Sequence, residues 1–243
     1  MTALRRAAQL EHRLTRPSAT LADLDAAAAL ALEHGLGSLA VSPWLVKPAA
    51  RLLARTGVKV GTVIGFPDGT SLPAVKAFEA SEALEHGAVE VDFVLNAGAL
   101  ASGDDDAVVV DILAVVEMAH SGMALAGVIL AHGALGEELV HRACRLAARA
   151  GADYIITSTG EATGASTIEQ TAQLQRVVGG QLGVKAAGAF ESADEVWEVV
   201  RAGATRVSAA FGRELVRDAV DLLSGSAADR AASSLADIGV AAG

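Results

Sequence analysis

The sequence predicts one α/β domain, a closed (β/α)8 barrel spanning residues 1–243. Three observations lead there. The length of 243 residues suits a single barrel of this kind, which typically takes about 250 residues. Short β-type runs alternate with longer Ala-rich helical patterns from one end of the chain to the other. No Gly-x-Gly-x-x-Gly turn follows the first strand, which counts against the rival reading, an open doubly wound sheet.

The elements follow in order. The first strand is QLEHRL (9–14), a weak candidate because it is mostly polar. The helical pattern TLADLDAAAALALEHG (20–35) comes next, then strand SLAVS (38–42). Strand VKVGTVIGF (58–66) leads into helix SLPAVKAFEASEALEHG (71–87), with Ser71 standing where a cap would. VEVDFVLN (89–96), helix DDDAVVVDILAVVEMAHSG (104–122) and strand AGVILAH (126–132) continue the alternation. GEELVHRACRLAARAG (136–151) and DYIITST (153–159) supply the sixth unit, and GVKAAGAF (183–190) the seventh strand. SADEVWEVVRAG (192–203), capped by Ser192, precedes the eighth strand TRVSAA (205–210). Several helical patterns end in Gly, the usual residue just past a helix C-terminus. The small, polar residues 226–243 read as a tail that frays.

Composition fits this architecture and removes several function classes. Hydrophobic residues make up 52% but aromatics only 3%, so the core is built mainly of Ala, Val and Leu. A net charge of −10 argues against a nucleic-acid surface, which needs clustered cations. The single cysteine, Cys144, excludes an internal disulfide and a Cys-based zinc site and reads as a small buried hydrophobe. No secretory signal and no membrane-spanning run is visible, so a cytoplasmic protein without membrane partners is expected. No ligand-spacing motif for a metal stands out, and no cofactor is expected.

In such barrels chemistry sits at the C-terminal ends of the strands. Asp92 and Lys185 are conspicuous there, because each places a charge inside a run that should be buried. They read either as a structural ion pair or as a reactive site. Lysine is scarce: Lys47, Lys59, Lys76 and Lys185 are the whole set.

Four segments carry a family resemblance. TVIGFPDGTSLPAVKAFEASEALEHGAVEVDFVLNAGAL (62–100), GADYIITSTG (151–160), GVKAAGAF (183–190) and LEHRLTRPSAT (10–20) resemble deoxyribose-phosphate aldolases, over roughly residues 10–215. The resemblance implies a TIM barrel that cleaves deoxyribose 5-phosphate through a Schiff base on a sixth-strand lysine. A seventh-strand lysine lowers that lysine's pKa, and an aspartate relays protons. Carried over by position, the seventh-strand lysine is Lys185, the relay aspartate Asp92 and a first-strand aspartate Glu11. The Schiff-base position is Ile156, which has no nitrogen.

Other positions depart as well. The family's phosphate-binding Gly-Gly turn and following Arg read here as Gly188, Ala189 and Glu191, and its serines after strand eight as Ala210 and Phe211. A carboxylate in place of a cation disfavours a phosphate. Ala131–His132 replaces a Glu-Thr, and Arg13 a small residue. Without a sixth-strand lysine, Lys185 has Asp92 and Glu11 as neighbours. They favour its ammonium form, which is no nucleophile. Lys185 as a relocated imine-forming residue is the weaker alternative.

Two readings remain at this stage. One is a lyase or carbon–carbon bond-forming enzyme acting on a small non-phosphorylated carbonyl compound. Lys185, Asp92, Glu11 and His132 would be catalytic. Arg13, Asn96, Thr157, Ser158, Thr159, Gly160, Gly188 and Ser208 would bind substrate. The other is a non-catalytic barrel that binds a metabolite or partner. Arg13 is a carboxylate clamp or a salt-bridge partner of Glu11 or Glu191, and His132 is an acid–base group or a solvent-facing loop residue. A homo-oligomer, by resemblance a dimer, is expected.

Overall fold

A computed structural model describes residues 7–130, 135–160 and 167–225. Its eight parallel strands close into one barrel in sequence order. They are β1 (Leu10–Leu14), β2 (Ser38–Val41), β3 (Lys59–Ile64), β4 (Glu90–Val94), β5 (Leu125–Ile129), β6 (Tyr154–Ile156), β7 (Gly183–Ala187) and β8 (Arg206–Ala209). Between them run helices α1 (Leu21–His34), α2 (Val46–Leu52), α3 (Pro73–Glu85), α4 (Ala97–Ala101) and α5 (Asp105–Ser121). The ring continues with α6 (Glu137–Arg149), α7 (Ile168–Val178), α8 (Ala193–Arg201) and α9 (Arg213–Ser224). The barrel expected from the alternation is the one observed. The expected tail lies outside the described residues.

The weak first strand closes the barrel, pairing with β2 on one side and β8 on the other. Its polarity has a structural cause. Strand side chains alternate between faces, and in β1 the alternation sends Leu10 and Leu14 outward into the main core. Glu11 turns inward. The strands are shorter than the apolar runs that announce them. The 153–159 run narrows to three paired residues, Tyr154–Ile156. Beyond them the Thr157 and Ser158 hydroxyls leave the ladder to bond the Ala187 carbonyl across the turn.

The helices start and stop for local reasons. Thr20 and Asp23 form a reciprocal capping box on α1, and Gly35 ends it in the left-handed region at φ 63°. Thr167 and Gln170 repeat the box on α7. Ser192 caps α8 as expected. Ser71 does not cap α3. The N-cap is Leu72, because Pro73 occupies the first helical position, where its fixed φ and missing N–H are best tolerated. Cys144 is buried on α6, and burial pushes its thiol up to about 12. Apolar faces of the helices pack on the outside of the barrel in one continuous core. The lumen is therefore the place where polar side chains need a separate explanation.

Candidate active site

Alternation along the strands decides what the lumen contains. Residues two apart share a face, so β4 turns Glu90, Asp92 and Val94 inward, β7 turns Lys185 and Ala187, and β8 turns Arg206 and Ser208. At the centre lies the Lys185 ammonium, with no exposed surface. Its Nζ donates to Glu90 Oε1 at 2.5 Å, to Asp92 Oδ2 at 2.7 Å and to Glu11 Oε2 at 3.2 Å. Arg206 Nη1 donates to the other Glu90 oxygen at 2.5 Å. The Tyr154 ring lies beneath both cations, 5.7 Å from Lys185 Nζ and 5.2 Å from the Arg206 guanidinium carbon. Ser208 and Ser38 donate to Glu11 at 2.7 and 2.8 Å.

The cluster holds three carboxylates, Glu11, Glu90 and Asp92, against two cations, Lys185 and Arg206. Burial opposes every charge in it. For Glu11 burial is overcome by the Lys185 charge and by the Ser208 and Ser38 hydroxyls, and its carboxyl falls to about 2. For Asp92 burial wins over Lys185, helped by repulsion from Glu11 and Glu90, and its carboxyl rises to about 7. Burial works against the Lys185 ammonium, but Asp92, Glu11 and Glu90 outweigh it and hold the pKa well above the ordinary value. The excess negative charge is thus relieved at Asp92, which exchanges a proton near neutrality. One oxygen from each of the three acids lies within 4.8 Å of the others, a spacing that suits a cation. The ammonium of Lys185 fills that role.

Asp92 is also the member best placed to act. It keeps 7% of its side chain accessible, against 0% for Lys185, 1% for Glu11 and 2% for Glu90. Its Oδ1 is buried without a partner. Gly127 of β5 stands opposite it in register, and a Cβ there would collide with Asp92 Oδ1 and with Ile156 Cδ1. The glycine therefore makes the room that the carboxyl occupies. Ile156 is 1% exposed and belongs to an apolar cluster with Val63, Val94, Ile129 and Ala187. It sits beside Lys185 in the ladder and presents a methyl group to the acid cluster.

The other sequence candidates divide. Arg13 reaches the mouth, where its guanidinium packs on the backbone of Gly160, held at φ 75°. Both line a cleft that also includes Gly188. Glu11 turns to Lys185, Ser38 and Ser208. The Ser208 hydroxyl donates to Glu11. Asn96 uses its side-chain oxygen to cap α4, accepting from Ala99 N. Thr157 both donates to and accepts from the Ala187 backbone, and Ser158 links Ala187 O to Gly160 N. These hydroxyls hold the β6 turn against β7. Thr159 is buried at 8% exposure. His132 lies outside the described residues. Sequence reasoning missed Glu90 and Arg206, although each lies two residues before a named inward position, Asp92 and Ser208, and so shares its face.

Among the described residues no helix is long and apolar enough to cross a membrane. The sequence model of the DeoC/LacD family aldolases matches residues 3–243. A deoxyribose-phosphate aldolase of Geobacillus sp. is 45% identical over 210 residues, covering 86% of this chain and 94% of the relative. The enzyme of that name from Streptococcus gordonii is 42% identical over 208 residues, covering 86% and 94%. Among solved structures, the tetrameric deoxyribose phosphate aldolase of Aeropyrum pernix aligns with a TM-score of 0.81 at 28% identity, over 90% of this chain and 91% of that one. An aldolase called QR15 aligns with a TM-score of 0.83 at 30% identity, over 91% and 97%.

Proposed function

The chain belongs to the DeoC/LacD aldolase family, and from that premise we propose a divergent lyase or carbon–carbon bond-forming enzyme for a small carbonyl compound without a phosphate. In this reading it works without the sixth-strand imine. The observation that carries the proposal is the single-amine lumen: Ile156 occupies the position where the family resemblance puts the imine-forming lysine, and Lys185 is locked among three acids. A protonated amine does not attack a carbonyl. Asp92 takes the proton from the carbon beside the carbonyl, or returns it, because its carboxyl titrates near 7. The charge that develops on the carbonyl oxygen is met only through space by the Lys185 ammonium, whose three N–H groups are held by the acids. Glu11 fixes Lys185 and stays ionised.

Several further features support the substrate reading. Glu191 is exposed on the β7–α8 connection where the resemblance puts a phosphate-binding arginine. Phe211 is buried at the position of a phosphate-binding serine. The protein acts in the cytoplasm as a homo-oligomer in this reading, and light scattering on the purified chain tests the second point.

Two measurements decide the mechanism. Borohydride treatment with acetaldehyde, followed by mass spectrometry, should leave Lys185 unmodified; a reduced adduct on it would establish the relocated imine instead. Deoxyribose 5-phosphate should be cleaved at least about 10²-fold more slowly than by a relative with the lysine in place, the scale at which a chemical group's loss is felt. Turnover at an ordinary family rate would sink the proposal. Absence of turnover with every short aldehyde and ketone pair would point to the non-catalytic barrel.

A further inference from the structure

An apolar pocket opens at the C-terminal ends of β1, β2 and β3, the rim of the barrel on which such folds carry their chemistry. It is set between Thr15, Ser42 and Phe66, which follow those three strands, and has a volume of about 240 Å3. Pro67 stands exposed at its entrance, whereas Thr15 and Val63 close its floor at 7% and 5% exposure. Val63 is the wall that this pocket shares with the lumen. It lines the pocket and belongs to the lumen's apolar cluster with Ile156, against which Phe66 also packs. It stands in register with Asp92 on the neighbouring strand.

The lining selects against an anion. Val63, Phe66, Pro43 and Pro67 present carbon, and Thr15 and Ser42 add hydroxyls. Ser42 precedes the 3-10 turn Pro43–Leu45 without capping it through its side chain. The one ionisable side chain among the lining residues is Glu79, fixed in place by accepting from Gly65 N at 2.8 Å. A carboxylate or phosphate would meet Glu79 at one end and the lumen acids at the other, like charges in both directions. Size narrows the ligand further. An apolar cavity of roughly 150 Å3 takes a benzene ring, and sites for drug-sized ligands begin at roughly 300 Å3. This pocket falls between them, with room for one ring or a short branched chain.

We propose that this pocket holds the uncharged apolar group of the carbonyl substrate, one ring or a short branched chain, with the carbonyl turned over Val63 toward Asp92. The pocket and its selectivity stand on the lining alone, and only the place of the carbonyl rests on the proposed function.

Calorimetric titration of the full chain with 2-phenylethanol, ethanol and phenylacetate reads binding without turnover, since none of them is an aldehyde or ketone. 2-Phenylethanol should bind at least about tenfold more tightly than ethanol, because its ring leaves water for an apolar wall. It should bind at least about tenfold more tightly than phenylacetate, whose charge the acids repel. Ser42→Phe, at a partly exposed position, fills the pocket and should weaken 2-phenylethanol by about tenfold or more, since the ring then stays in water. Phe66→Ala removes the apolar wall and should weaken it as well, which decides the matter if the first variant does not fold. Glu79→Gln keeps an acceptor for Gly65 N and should narrow the gap between phenylacetate and 2-phenylethanol. Equal affinities for 2-phenylethanol and ethanol, tighter binding of phenylacetate, or indifference to both Ser42→Phe and Phe66→Ala would overturn the proposal. If 2-phenylethanol binds as expected but phenylacetaldehyde is not turned over with acetaldehyde, the pocket assignment stands and the lyase reading falls for this class of ligand.

Discussion

Two lysines are completely buried in this protein, and their surroundings differ in one decisive respect. Lys76, on α3, lies between the barrel wall and α5. Its Nζ donates to Asp111 Oδ2 and to the Val94 carbonyl, both at 2.8 Å. The same Asp111 oxygen accepts from Asn96 N, so the pair pins the end of β4 and the loop after it. One cation meets one acid. Lys185, in the lumen, meets three acids, with Arg206 as the only other cation hydrogen-bonded to them among the described residues. At Asp111 burial raises the carboxyl pKa, the Lys76 ammonium and the Asn96 N–H oppose it, and no second acid adds repulsion. A cluster with one acid too many relieves its repulsion by taking up a proton. That difference separates a structural tie from a site that can move protons.

Removing each amine tests the contrast, and the largest effect is expected in the lumen. Lys185→Met leaves Glu11, Glu90 and Asp92 facing one another. It should cost about 5 kcal/mol of stability, the upper end for breaking a buried pair, and should abolish turnover. The loss should be greatest at alkaline pH and shrink on acidification, since the abandoned acids then protonate. Lys76→Met should cost about 3 kcal/mol. Adding Asp111→Leu should restore most of that, whereas Asp92→Leu added to Lys185→Met should restore little, because Glu11 and Glu90 remain charged. Denaturant unfolding of the four variants measures all of this, and equal recovery in the two doubles would erase the distinction.

Titration tests the contrast without deleting a lysine. Asp92 has a folded pKa of about 7, raised from 3.8, so the stability linked to its proton is complete at low pH and is lost as pH rises through about 7. Glu11 has a folded pKa of about 2, lowered from 4.5; its contribution is present above about 4.5 and lost as pH falls toward about 2. Stability should therefore decline on both sides of a mildly acidic optimum. Asp92→Asn should flatten the neutral arm, spare the acid arm and reduce turnover by at least about 10²-fold. Arg206→Gln has a smaller effect: with one lumen cation fewer, the neutral arm should move to higher pH while its shape persists. A carboxyl-carbon NMR titration that shows no group changing protonation near neutral pH would refute the assignment to Asp92.

The barrel itself was legible in the sequence because its strands, its glycine-ended helices and its length all report local physics. The pair Asp92 and Lys185 was legible for the same reason, since a charge inside an apolar run announces itself. Glu90 and Arg206 were missed because each stands at the edge of its run, where a charge looks like an ordinary strand end. Only the lumen reveals that alternation places them under Lys185. Asn96, Thr157, Ser158 and Ser208 stand out in the sequence because they are polar and near strand ends. Sequence position does not say whether a hydroxyl or amide is already committed, and here each has an internal partner. The pocket beside Val63 was illegible as well, since it joins the ends of three strands far apart along the chain.

The smallest expected effects compare the polar side chains beside the two lysines. Asn96→Ala removes a cap from a helix of five residues and should cost about 1 kcal/mol. It should leave KM and both arms of the pH profile in place, since Asn96 reaches the Lys76 pair only through its backbone N–H. Ser208→Ala removes one of the two hydroxyls that hold Glu11 ionised. Its cost should be similar, about 1–2 kcal/mol for a hydrogen bond to a charged group, but its signature is different. Glu11 should then protonate at a higher pH, moving the acid arm upward while the neutral arm stays fixed. If Asn96→Ala raised KM, Asn96 would work at the mouth and not only as a helix cap; if Ser208→Ala left the acid arm unmoved, Glu11 would not owe its ionisation to that hydroxyl.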